Sequence, residues 1–133
     1  MIVSLHVATG AAGGVIVRSR LAAIPVGFLL HLAGDRMPHQ DIRSRRFEIG
    51  SGIAEVALLA AVRGPLDGAV VGALAASSPD LEHIVRLPRP GGRKLFPSHR
   101  FRGWHRSGGV SATAQLLLAG FLLGLLLHRG PRQ

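Results

Sequence analysis

His31-Leu-Ala-Gly-Asp35-Arg-Met-Pro38-His39-Gln-Asp41 closes an otherwise apolar segment with His31, Asp35, His39 and Asp41 as candidate metal ligands. On an α-helix a four-residue step turns by only about 40° net, so His31 and Asp35 share one face, a turn apart, and can hold one ion together. Pro38 has no N–H and clashes with the carbonyl four residues back, so the helix is expected to end or kink near Asp35. His39 and Asp41 then swing over its end, which makes a mouth rather than a stripe. The remaining segments matter according to whether they bring more ligands to that mouth.

The 133 residues are one domain by size, residues 1–133, with a basic Pro/Gly-rich loop at 86–106. Hydrophobic residues make up 47%, but aromatics only 5%, and there are 18 glycines. Ala, Gly, Leu and Val in place of large rings suit helices that approach closely, as they do in lipid. A net charge of +9 coexists with a mean hydropathy of +0.33 because long uncharged runs alternate with short basic clusters. The absence of cysteine excludes disulfides, thiolate nucleophiles and Cys-type zinc sites, leaving seven histidines as the main ligand inventory. The start, Met1-Ile-Val-Ser-Leu-His6, has no basic n-region and does not read as a cleaved signal peptide.

Apolar segments are predicted at 3–17, 21–34, 47–62, 66–76 and 107–127. Gly10 and Gly14, and again Gly68 and Gly72, stand four apart, the spacing that lets helix backbones meet. Arg63-Gly64-Pro65 is a stop and restart, and Ser77-Ser-Pro79-Asp80-Leu-Glu82-His83 breaks the fourth segment. Ser107 to Leu127 runs 21 residues without a charge. At about 1.5 Å per residue that is long enough to cross a hydrocarbon core of roughly 30 Å. The expected fold is therefore all-α: a compact bundle of about five apolar helices, embedded in a membrane, with ligand-bearing loops at one end.

If the segments pass up and down, as short connections favour, His6 lies at the same end as His31, Asp35 and His39. The fourth segment returns there with Asp80, Glu82 and His83, and the fifth starts there, just after His99 and His105. Six of the seven histidines converge on one end, and only His128 falls at the other. The basic clusters at 43–46, 86–94 and 100–106 sort with the ligands, whereas Arg18, Arg20, Arg63, Arg129 and Arg132 sort away. By the positive-inside tendency this places the ligand end in the cytoplasm of a multi-pass inner-membrane protein.

Histidine and carboxylate ligands without cysteine suit a divalent metal, zinc first and manganese or iron as alternatives. Such an ion lowers the pKa of a water and polarises a phosphoryl or carbonyl oxygen. The candidate ligands are His6, His31, Asp35, His39, Asp80, His83, His99 and His105, more than one ion needs, which leaves room for two. Asp35 or Asp80 would bridge or orient them at a catalytic centre. Glu55, in the middle of an apolar helix, offers a further ligand, a general base or, more plainly, the partner of an arginine. Asp41, Glu48 and Glu82 sit among arginines and read as solvated, charge-balancing residues. The basic loops suit an anionic, phosphate-containing substrate or the headgroups of a lipid bilayer. Phe101 and Trp104 supply too little stacking surface for specific nucleic-acid binding.

The order His6, Ala8-Thr9-Gly10, then Gly27-Phe-Leu-Leu-His31-Leu-Ala-Gly-Asp35-Arg-Met-Pro38-His39, then Pro79-Asp80-Leu-Glu-His83, then Phe96-Pro-Ser-His99-Arg and Trp104-His105 resembles small bacterial proteins described as membrane-bound metal-dependent hydrolases. It is more distantly similar to the zinc-dependent phospholipase C and single-strand nuclease group. The resemblance implies a helical fold, a metal centre at His6, His31, Asp35, His39, Asp80 and His105, and hydrolysis of a phosphoester by activated water. The alternative is a non-catalytic integral membrane protein whose His/Asp/Arg cluster is structural or binds a partner. A third reading is a soluble helical domain that binds acidic partners.

Overall fold

Local signals place most helix ends. The computed structural model describes residues 1–128, with α1 at Val3–Val17, α2 at Arg20–Arg36, α3 at Arg45–Arg63, α4 at Gly68–Ser77, α5 at Pro97–Arg100 and α6 at Ala112–His128. Short 3-10 turns occupy Ser78–His83 and Pro90–Gly92, and no strand occurs among the described residues. Ser19 caps α2 by accepting from the Ala22 amide at 3.3 Å, Ser44 caps α3 from Phe47 at 3.3 Å, and Asp67 caps α4 from Ala69 at 2.8 Å. Helix α2 stops at Arg36 because Met37, the residue before Pro38, is extended at φ −74°, ψ 134°.

Helix α4 is the strut against which α1 and α2 pack, and the contact is made by backbone. A Cβ on Gly14 would lie 1.9 Å from the Gly68 carbonyl oxygen, one on Gly72 2.2 Å from that of Gly10, and one on Gly27 2.7 Å from Ala75 Cβ. The two glycine pairs visible in the sequence are thus each other's partners. Around this seam the core is built of Val7, Ala8, Ala11, Val70 and Ala73, closed by Leu59 from α3 and Leu123 and Leu126 from α6. Helices this close leave no room for large rings, which accounts for the low aromatic content. At the far end Arg63 Nη1 donates to the Leu126 carbonyl at 2.9 Å and its Nε to Asp67 at 3.1 Å, tying α3 to α6.

The membrane-embedded, five-helix expectation is corrected, and with it the multi-pass inner-membrane location and the cytoplasmic orientation of the ligand end. Among the described residues no helix is long and apolar enough to cross a membrane. The longest, α3, has 19 residues and carries Arg45, Arg46, Glu48, Glu55 and Arg63. The uncharged run 107–127 does not form one helix, because its first residues are needed elsewhere. Gly108 and Gly109 take φ of +95° and +71°, Val110 donates to the Pro38 carbonyl at 3.0 Å, and α6 starts only at Ala112. A sixth helix, α5, lies inside what reads from sequence as one loop at 86–106. The high hydropathy instead belongs partly to outer faces, where Leu21, Leu29, Leu117 and Phe121 stay exposed. Arg129 and Arg132 lie outside the described residues.

Candidate metal centre

The stitching of 106–110 onto the end of α2 also builds the site. His39 N donates to the Arg106 carbonyl at 3.1 Å and Gln40 N to that of Val110 at 2.9 Å. Buried Gln115 on α6 accepts from Ile2 N at 3.1 Å and donates to the Gln40 carbonyl at 2.8 Å, holding the start of α1 in the same place. Asp35 stands at the centre of the result. Its Oδ2 is 3.0 Å from His31 Nε2 and 3.5 Å from His99 Nε2; its Oδ1 is 3.1 Å from His6 Nε2 and 4.0 Å from His105 Nδ1. Asp80, delivered by the 3-10 turn after α4, lies 3.6 Å from His99 Nε2. Four sets have ligand atoms all within 4.8 Å of one another: His6, His31 and Asp80; His31, Asp35 and His99; Asp35, His39 and His105; Asp80, His83 and His99.

The rings are aimed by partners behind them. His31 Nδ1 donates to the Ala76 carbonyl at 2.8 Å, His39 Nδ1 to that of Met37 at 2.6 Å, and His99 Nδ1 to Glu82 Oε1 at 2.8 Å. Since a carbonyl or carboxylate can only accept, Nδ1 carries the proton in each and Nε2 turns toward the cluster, as in metal-binding histidines. His6 stacks on His31 with ring centroids 4.0 Å apart.

His6, His31 and Asp35 are at most 1% exposed. Burial lowers the His6 pKa to about 3, so its ring is neutral. Burial alone would raise the Asp35 carboxyl, but the imidazoles of His31, His6 and His99 hold it far below the usual carboxylate range. His99 moves the other way: burial disfavours its charge, yet Asp35 and Glu82 raise it. Burial also raises the Asp80 carboxyl and lowers His39. Most telling are the buried polar atoms with no hydrogen-bond partner, among them His6 Nδ1, His31 Nε2, Asp35 Oδ2 and Asp80 Oδ2. Buried polar atoms are nearly always paired. Imidazole nitrogens and carboxylate oxygens thus converge with part of their hydrogen-bonding capacity unused, an arrangement that a cation between them satisfies.

The candidate ligands His6, His31, His39, Asp80, His99 and His105 are therefore brought around Asp35 by α1, α2, the segment that follows it, the 3-10 turn, α5 and the 101–107 turn. His83 is at the exposed edge, its ring 4.3 Å from that of His99. Glu55 is not part of the cluster. It faces Ser4 across the α1–α3 contact, its carboxyl is raised by burial, and it does not line the cavity beside the cluster. Asp41 lies 3.1 Å from His39 and 3.4 Å from His105. Glu82, read from sequence as solvated, is 4% exposed and takes bonds from the Leu95 and Phe96 amides as well as His99. No charge pattern signals this, because its partners come 13 to 17 residues later. The Met1 amine, 2.9 Å from Asp35 Oδ1, is a further neighbour that sequence reasoning missed.

A cavity of about 650 Å³ opens beside Asp35, Asp80, His99 and His105. Ile42, Ile49, Ile84 and Phe101 give it apolar walls, and Arg43, Arg45, Lys94 and Arg102 give it positive charge. Comparison of the chain with protein families, curated proteins and solved structures finds no match. The chemistry therefore has to be read from the residues themselves.

Proposed function

We propose that the Asp35 cluster is a divalent-metal centre, zinc by preference and manganese or iron next, that serves hydrolysis of an anionic ester, with a phosphoester as the substrate class. The observation that carries this reading is the set of buried, partnerless atoms, His6 Nδ1, His31 Nε2, Asp35 Oδ2 and Asp80 Oδ2, converging from separate elements. A donor set of imidazole and carboxylate suits these ions, which when bound lower the pKa of water and polarise a phosphoryl oxygen. Asp35 suits a bridging role because its two oxygens face different histidines, Oδ2 those at 31 and 99 and Oδ1 those at 6 and 105. The carbonyls of Ala76 and Met37 and the carboxylate of Glu82 keep the rings in register. An anionic substrate fits the cavity's electrostatics: beyond the candidate ligands, Arg43, Arg45, Lys94 and Arg102 outnumber Asp41 and Glu48.

The test is metal content by mass spectrometry of the purified protein after loading with zinc, manganese or iron, followed by turnover of model phosphomonoesters and phosphodiesters. Bound metal that disappears in His31→Ala and Asp35→Asn, with metal-dependent turnover in the wild type, is the expected result. Metal content unchanged in both variants removes the centre, and bound metal without turnover of either ester class removes the hydrolase.

A further inference from the structure

One basic side chain of the cavity differs from the others. Arg43, Arg45 and Arg102 are exposed, whereas Lys94 is half-buried. Its place is set by the next two residues, whose amides are held by Glu82, Leu95 N at 2.8 Å and Phe96 N at 3.1 Å, so Lys94 is kept on the cavity wall. Its Nζ rests against the imidazole of His83, 3.0 Å from Nδ1 and 3.2 Å from Nε2. Among the described residues no carboxylate lies within 4.0 Å of it in an ion pair. Glu82, the carboxylate fixed nearest along the chain, spends its oxygens on Leu95, Phe96 and His99. An ammonium on a cavity wall gives up part of its hydration, and an anion entering the cavity offers it a partner. Lys94 instead leans on the His83 imidazole, beside Asp80 and His99.

We infer that Lys94 is the anchor for the substrate's anion, binding a non-reacting phosphoryl oxygen while another oxygen of the same group faces the Asp35 centre. His83 is then its resting partner, given up when the anion arrives, rather than a ligand. This rests on the metal-centre reading above and deepens it by assigning the recognition of the phosphoryl group to one residue. Free phosphate, a phosphomonoester and a phosphodiester share that oxyanion, and a diester probe separates them.

The experiment is calorimetric titration of inorganic phosphate into the zinc-loaded protein, comparing wild type with Lys94→Ala, Lys94→Arg and the exposed control Arg86→Ala. Loss of one charge-assisted contact should weaken phosphate by about tenfold to a hundredfold in Lys94→Ala. Lys94→Arg should recover part of this, Arg86→Ala should match wild type, and zinc content should be the same in all four. A parallel titration with bis(4-nitrophenyl) phosphate should show the same dependence on Lys94 if the diester is taken. Equal phosphate affinity in wild type and Lys94→Ala overturns the assignment, as does loss of zinc together with phosphate, or acetate binding as tightly as phosphate. If the wild type takes up no zinc, the metal reading fails by itself. The titration of the metal-free protein then decides the anchor on the same comparison of wild type with Lys94→Ala.

Discussion

Glu82→Gln tests how the site is held. The carboxylate accepts three bonds, from Leu95 N at 2.8 Å, Phe96 N at 3.1 Å and His99 Nδ1 at 2.8 Å. Glutamine has one oxygen to accept with. If it keeps Phe96 and His99, its NH2 group must face the Leu95 N–H, donor against donor, in a place only 4% exposed. One charge-assisted bond, worth about 1.5–3 kcal/mol, is lost outright, and the two that survive fall to neutral strength, for a total of about 3 kcal/mol. The segment from Ile84 to Leu95 is largely exposed, so it can open without the bundle unfolding, and the loss should appear locally. Exchange of the Leu95 and Phe96 amides is therefore expected to accelerate by about a hundredfold in the metal-free protein, with a smaller fall in melting temperature. Because the bond that aims His99 falls from charge-assisted to neutral strength, zinc affinity should drop by roughly 10-fold. Amide exchange followed by mass spectrometry, and zinc competition against a chelating dye, read the two effects. If both are indistinguishable from wild type, Glu82 does not hold the segment or the histidine.

Gly14→Ala should destabilise the fold by about 3 kcal/mol, lowering the melting temperature by roughly 10 °C, because the new methyl meets the Gly68 carbonyl oxygen at 1.9 Å and backbone cannot rotate aside. Gly120→Ala is its control: nothing lies within 4 Å of a Cβ there, so the helix should gain up to about 1 kcal/mol in the same thermal melt. Glu55 carries the pH prediction. Burial raises its carboxyl, so the folded chain binds more protons than the unfolded one as pH rises from its ordinary value of 4.5 through the raised value, and stability falls across that window. Glu55→Gln should flatten this part of the pH–stability curve and raise stability at neutral pH in urea titrations; an unchanged curve refutes the assignment.

The candidate site was legible where its logic is local or follows from parity. The i, i+4 step of His31 and Asp35 needs only helix geometry, and Pro38 explains why His39 turns over the helix end. The up-and-down passage of the chain brings His6, Asp80, His99 and His105 to the same place without any knowledge of packing. The surroundings of Glu55 and Glu82 are not legible along the chain, for one reason. The role of a carboxylate depends on what lies across from it, and Ser4 and His99 are far from them in the chain.

What the sequence by itself determined is the all-helical class, most helix ends, the two glycine pairs and the convergence of histidines, because each follows from spacing and turn chemistry along the chain. Only the tertiary structure decided that Gly10 and Gly14 meet Gly72 and Gly68, and that Gly108 and Gly109 leave the last apolar run to let Val110 reach the Pro38 carbonyl. It likewise decided that Asp35 lies within 4.0 Å of His6, His31, His99 and His105. Hydropathy counts apolar residues without saying which side of a helix they cover. The length of α6, the burial of Glu82 and the grouping around Asp35 are set instead by hydrogen bonds and contacts between residues tens of positions apart.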